Sequence, residues 1–331
     1  MAADSAQDFL FQRIREMIPQ HVSLVDTVSD LLSVSSDSAY RRIRGETALV
    51  LEEARLLCNH FHLSLDQLLQ VNNNSTLFQN TTVDAKNYSF DKYLGDLLAQ
   101  LKYIESFIQK EIIFLTKDLH IFTNVLSPAF FAFKYFFWHK SIIQDPAYAT
   151  KGFTLNCLTP EISALAEDMS KTYNRIPSTE IWNIEVANSI ILQIEYYKEA
   201  GFFSSATDIR TIYESVEETL LHLKEEAETG TKFYPGENPS VKKQNFRFFY
   251  NRIVLGDNAV LITTDHIKTV YLNYDVLDYL VTRDEKFCNE THVKMQNLMR
   301  RSTMISETGE KQRNSFFNIL LSKIQERKRH L

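Results

Sequence analysis

Three arginines, Arg41, Arg42 and Arg44, fall close together in the run Ser35-Ser36-Asp37-Ser38-Ala39-Tyr40-Arg41-Arg42-Ile43-Arg44-Gly45. A guanidinium is a planar fork of donors. It fits the O6/N7 edge of guanine bidentately and pairs equally well with phosphate. Ser35 or Ser36 can cap a short helix here by accepting from an otherwise unpaired backbone N–H. Gly45 suits the left-handed position that closes it. On such a helix the i, i+3, i+4 rule predicts Ser36, Asp37, Tyr40, Arg41 and Arg44 on one outward face. Ala39 and Ile43 then turn inward against Val28 and Leu32. Polar groups at the start of a helix and arginines along its body suit the major groove of DNA. Arg41 is the expected guanine contact, with Ser36 and Tyr40 against neighbouring bases. Asp37 is expected to accept from a cytosine amino group or to orient Arg41, and Arg44 to meet phosphate. Arg42 is expected to lay its stem on the core and extend its head to a second phosphate.

Other chemistry has little to build on. The sequence has no Gly-rich phosphate loop, no Gly-x-Ser-x-Gly elbow and no His-Glu-x-x-His zinc motif. Its nine histidines are dispersed as single residues. No enzymatic activity and no cofactor are therefore expected. Cys58, His60 and His62 invite a zinc site, but their spacing spreads them around one helix and no second ligand pair follows. They read as a core cysteine and helix-end histidines, so no metal is expected.

The elements that must position the arginines lie on either side. Val28, Leu31 and Leu32 make the apolar face of a preceding helix, and Ser33-Val34-Ser35 interrupts it as a tight turn. Asp8–Met17 reads as an opening helix ended by Pro19. Leu49–Phe61 reads as a longer helix after Gly45, and Ser64 caps a last short one to Leu69. The stretch resembles the helix-turn-helix of the Xre (Cro/repressor) superfamily, most of all its BetR-like version in Bacteroidetes. The matching residues are Val34-Ser35, Ser38-Ala39-Tyr40-Arg41-Arg42-Ile43, Gly45-Glu46 and Leu63-Ser64-Leu65-Asp66-Gln67-Leu68-Leu69. Similarity covers about residues 8–70. Ser33 stands where glycine is common in the turn, Ser29 where alanine is usual, and Arg42 where many relatives are apolar. The resemblance implies a DNA-binding domain of about five helices, double-stranded DNA as partner and a role in transcription regulation.

Charge complicates that expectation. The 331-residue chain carries a formal −6. Residues 1–70 contribute −4, residues 71–290 contribute −8, and residues 291–331 contribute +6. Phosphate neutralisation dominates DNA affinity, so an acidic domain predicts modest affinity and a homodimer that supplies the remainder. Three widely separated cysteines fit reduced thiols. The N-terminus lacks the basic and apolar regions of a signal peptide. Residues 121–138, interrupted by Asn124, Pro128 and Lys134, are too short and too polar for a membrane span. A cytoplasmic protein is expected.

Asn and Thr crowd Val71–Asn87, so the predicted division is a helix-turn-helix domain over 1–70, a linker over 71–89 and a larger domain over 90–331. Tyr93, Leu97, Leu101, Ile104 and Ile108 form a helical stripe, either core-facing or a coiled-coil seam. Phe130–Ile143 reads as a helix buried on every side. Further helices are predicted from Thr159-Pro160, from Ser178-Thr179-Glu180 through Trp182 to Gly201, and over Ala206–Glu228. Phe246–Leu255, Ala259–Thr264 and Thr269–Leu272 read as strands turning at Gly256-Asp257-Asn258 and Asp265-His266. Helices over Asp284–Arg301 and Glu310–Arg329 close the chain. The expected class is mainly α, near all-α, with one small antiparallel sheet near 246–272. The functional expectation is a sequence-specific transcriptional regulator. Its C-terminal region would dimerise or sense a small-molecule or protein effector. The alternative is a protein-interaction scaffold whose helix-turn-helix binds a partner protein.

Overall fold

The computed structural model describes residues 5–19, 21–65, 76–81, 88–237, 244–253, 256 and 258–331. Most of the expected linker, the last short helix beyond Leu65 and the centre of the 256–258 turn lie outside these residues.

The N-terminal unit is built from α1 (Ala6–Met17), α2 (Leu24–Leu32), α3 (Ser36–Ile43) and α4 (Leu51–Phe61). Leu10, Phe11, Ile14, Met17, Leu24, Val28, Ala39, Leu57, Cys58 and Phe61 form its own buried core. The first three starts have a local cause: Ser5, Ser23 and Ser35 accept from backbone N–H groups of α1, α2 and α3.

The second unit is organised on an eight-stranded mixed sheet in the order β1-β7-β6-β5-β2-β3-β4-β8. The strands are β1 (Gln79–Thr81), β2 (Lys110–Thr116), β3 (Ser178–Trp182), β4 (Phe246–Tyr250), β5 (Ala259–Thr264), β6 (Ile267–Asn273), β7 (Tyr279–Thr282) and β8 (Thr303–Met304). Strands β2, β3 and β4 run parallel, which requires long crossovers between them. The first crossover is α6 (Ile121–Asn124), α7 (Pro128–Phe137) and α8 (Pro160–Tyr173). The second is α9 (Asn188–Glu199) and α10 (Ala206–Thr229). The remaining pairings are antiparallel.

This overturns the mainly α, near all-α class and its small antiparallel sheet: the fold is α/β. The reason is physical. Central parallel strands are covered on both faces, so they lack the alternation that marks a half-buried strand. Ile112-Ile113-Phe114-Leu115 is such an unbroken apolar run in β2, and every residue of β3 is buried. Ser178-Thr179-Glu180, read as the start of a helix to Gly201, begins β3 instead, and the helix there is α9. Residues 79–81 of the expected linker add an edge strand to β7.

The large core lies on one face of the sheet. Ile112, Phe114, Trp182, Phe246, Phe248 and Tyr250 meet α5 (Phe90–Glu105), the crossover helices and α12 (Glu310–Arg329) there. The stripe of Tyr93, Leu101 and Ile104 is the inward side of α5, whereas Ile108 lies past its end and is exposed. All of Phe130–Phe137 in α7 is buried, and the helix continues into a π turn at Trp138–Ile142. The opposite face carries Ile113, Ala259, Leu261 and Val270 beneath Cys288 and Met295 of α11 (Glu285–Arg300). No helix among the described residues is long and apolar enough to cross a membrane.

Candidate nucleic-acid interface

The two units meet through the ends of α1 and α4. The Arg283 guanidinium donates to Phe61 O at 2.9 Å, Gln79 Nε2 donates to His62 O at 2.9 Å, and the Tyr103 hydroxyl donates to Met17 O. Arg13 pairs with Glu285 at the start of α11. None of these contacts involves α3.

The turn before α3 is held by backbone geometry and one hydroxyl. Ser33 takes the left-handed conformation at φ 53°, which side chains other than glycine adopt at a cost of about 1–2 kcal/mol. Ser29 then closes the turn: its hydroxyl donates to Val34 O at 2.7 Å, and its carbonyl accepts from Val34 N–H at 3.1 Å. Both small serines thus have a local role. At the other end Gly45 is left-handed at φ 71°, and Glu46 N–H reaches Arg41 O at 2.9 Å.

Ser36, Asp37, Tyr40, Arg41 and Arg44 are all exposed, Ala39 is buried and Ile43 is half-buried. Each arginine has a carboxylate partner. Arg41 Nε lies 3.1 Å from Asp37, one turn earlier, and Arg44 Nε lies 3.3 Å from Glu46. The Arg44 guanidinium also sits 5.6 Å from the Tyr40 ring centroid. Arg42 differs from the expected phosphate contact. Its fork makes bonds of 2.8 and 3.0 Å to the two Glu53 oxygens and reaches Ser38 O at 3.2 Å. Both side chains of that pair are only 17% exposed, so Arg42 ties α3 to α4. The bond to Arg42 comes first among the causes that hold the Glu53 carboxyl below its usual range.

Sequence reasoning missed Gln7 as well as Glu53. From α1, the Gln7 amide donates to Arg42 O at 2.7 Å and Thr47 O at 2.9 Å, and accepts from Leu49 N–H at 2.9 Å. One side chain therefore meets three backbone groups, one in the last turn of α3 and two in the segment that follows it. A lone glutamine in a helix carries no sequence signal for that role. The cysteine and histidines of α4 separate: Cys58 is in the core, His60 is exposed, and His62 is the left-handed cap at φ 52°. Among the described residues no group of three or more His, Cys, Asp or Glu could hold a metal ion.

A second polar cluster lies inside the sheet unit. Glu180 on β3 is 1% exposed. Its carboxylate accepts from the Tyr173 hydroxyl at 2.8 Å and lies 3.2 Å from His120 Nε2. The His120 ring stacks on Phe114 with centroids 4.3 Å apart. Lys232 is also buried and donates to Tyr173 O at 2.9 Å and Ile176 O at 2.6 Å. Burial pushes its amine down to about 7, although Glu180 and Glu226 pull it upward. Burial likewise raises the Glu180 carboxyl, but His120, Tyr173 and Lys232 outweigh it and the net shift is downward. Burial lowers the His222 imidazole, but the adjacent Glu226 leaves it raised overall. The cluster is enclosed by Phe114, Phe122, Tyr173 and Trp182. Its geometry braces β3 against the end of α8 and ties the segment after α10 to that same end.

Comparison of the chain with protein-family models, curated proteins and solved structures finds no match. The residues of α3 and their surroundings therefore carry the functional reading on their own.

Proposed function

We propose that this chain is a sequence-specific DNA-binding transcriptional regulator of the Xre type, with α3 entering the major groove. The observation that carries this reading is the outward face of α3. Ser36, Asp37, Tyr40, Arg41 and Arg44 share one exposed surface, while α1 and α4 supply the contacts to the sheet unit. Arg41 takes the guanine edge, and Ser36 and Tyr40 abut neighbouring bases. Arg44 takes phosphate, and Arg42 positions the helix through Glu53. The sheet unit dimerises or senses an effector, and two linked copies gain the avidity that one acidic domain lacks. Half-sites then lie about one helical turn apart or a multiple of it. The protein works in the cytoplasm.

Fluorescence anisotropy of a labelled duplex, read across a salt series, tests this. Binding should weaken steeply as salt rises. Arg44→Ala should weaken all sequences alike and reduce the salt slope by about one. Salt-independent affinity would overturn the reading. One observation favours the partner-protein alternative: Val50 and Leu51 are 60% and 76% exposed at the start of α4. An apolar contact there would be insensitive to salt and lost in Leu51→Ser.

A further inference from the structure

We propose that Asp37 is a specificity-determining residue of the α3 surface, acting as an electrostatic gate on Arg41, and that Glu46 is a general brake on phosphate contact. This rests on the DNA-binding reading of α3 and adds how that surface discriminates between sites.

The arginines of α3 are all neutralised by neighbours: Arg41 by Asp37, Arg44 by Glu46, and Arg42 by Glu53. The first two pairs are solvent-exposed on all four side chains, which are 50–72% exposed. Such pairs are weak and exchange readily with other partners. The third is shielded and bidentate, and it stays within the domain. An approaching phosphate therefore meets a surface whose two available arginines are already compensated, on a domain of net −4. To bind a phosphate, Arg41 must leave Asp37, and the freed carboxylate then faces the DNA backbone. That repulsion opposes every non-cognate complex.

At a cognate site the balance changes. Asp37 stands in the first turn of α3, one turn before Arg41. With Arg41 on a guanine edge, the Asp37 carboxylate reaches a base edge one step away. There the N4 amino group of a cytosine is a donor that a carboxylate accepts. Repulsion is replaced by a hydrogen bond only where a cytosine is present. A site that carries its own repulsive element discriminates by rejecting wrong partners as well as by holding the right one. Glu46 lies beyond Gly45, outside the helix and beside the phosphate-facing Arg44. It has no base edge to meet, so its repulsion acts on every sequence.

The two carboxylates therefore predict different outcomes. Asp37→Asn and Glu46→Gln are near-isosteric and remove one charge each. Full-length wild-type and variant proteins are compared on the duplex enriched by selection from random DNA and on a scrambled duplex of equal length. Asp37→Asn should raise affinity for the scrambled duplex about three- to tenfold and leave or lower affinity for the selected one, so discrimination falls. Glu46→Gln should raise both by a similar factor and leave discrimination intact. Unchanged discrimination in Asp37→Asn, with wild-type still enriching a motif, overturns this proposal and leaves the DNA-binding reading standing. Loss of cognate affinity in Asp37→Asn with no gain on the scrambled duplex also overturns it, because Asp37 would then read a base without gating Arg41. A wild-type protein that enriches no motif overturns the DNA-binding reading, and the proposal with it.

Discussion

Replacing Glu180 is the sharpest test of how the sheet unit is held together. The carboxylate is 1% exposed and accepts from Tyr173 at 2.8 Å, with His120 at 3.2 Å. Buried Lys232 feels its charge. Glu180→Leu removes the negative centre and leaves the Lys232 ammonium with less compensation, so it should cost about 3–5 kcal/mol. Glu180→Gln keeps the shape and one acceptor for Tyr173, and should cost about 1–3 kcal/mol. Lys232→Met removes one of the groups that favour the Glu180 carboxylate and leaves it Tyr173 and His120. When both charges are replaced, neither partner is left unpaired, so the double variant should lose at least about 1 kcal/mol less than the two single losses together. Urea unfolding followed by tryptophan fluorescence reads this directly, because both tryptophans, Trp138 and Trp182, lie in the sheet unit's core. Losses that add within about 0.5 kcal/mol would refute the coupling on which this account of the cluster depends.

Further outcomes follow from the buried Lys232 and from the Arg42–Glu53 pair. The Lys232 amine is depressed from 10.5 to about 7 in the folded state. The unfolded chain therefore binds more protons between those values, and this residue's contribution makes stability rise with pH through that window. Lys232→Met should flatten the rise in chemical denaturation series between pH 7 and about 9; an unchanged slope would contradict the burial of that amine. In the N-terminal unit, Arg42→Ala should destabilise the domain by about 1–3 kcal/mol through loss of the shielded Glu53 pair. Arg42→Met should leave the salt slope of DNA binding unchanged, and a reduced slope would return Arg42 to the phosphates.

The N-terminal unit was largely legible in the sequence because its signals are local. Ser35 caps α3 and Gly45 closes it, as the residue types require. The i, i+3, i+4 rule separated the exposed Ser36, Asp37, Tyr40, Arg41 and Arg44 from buried Ala39. The Arg42–Glu53 pair was not legible because Glu53 lies eleven residues on, across a turn that spacing rules do not span. The sheet was illegible for a different reason. Strand β3 pairs with distant residues on each side, Thr179 with Ile113 of β2 and with Arg247 of β4. Its Ser-Thr-Glu start mimics a helix cap. The strands that were found, β4, β5 and β6, include a hairpin that turns at Asp265-His266 and carries its own short-range signal. The Glu180 cluster gathers side chains from residues 120 to 232, and no single motif marks it.

The most direct test of the central claim is selection of bound sequences from a pool of random duplex DNA, using the full-length protein and its Arg41→Ala variant. The wild-type protein should enrich a motif containing at least one fixed guanine. Arg41→Ala, folded by circular dichroism, should lose about 1–3 kcal/mol at that motif and relax the preference at one base position. No enriched motif, or the same motif enriched equally by Arg41→Ala, would contradict the assignment of α3 as a DNA-reading helix.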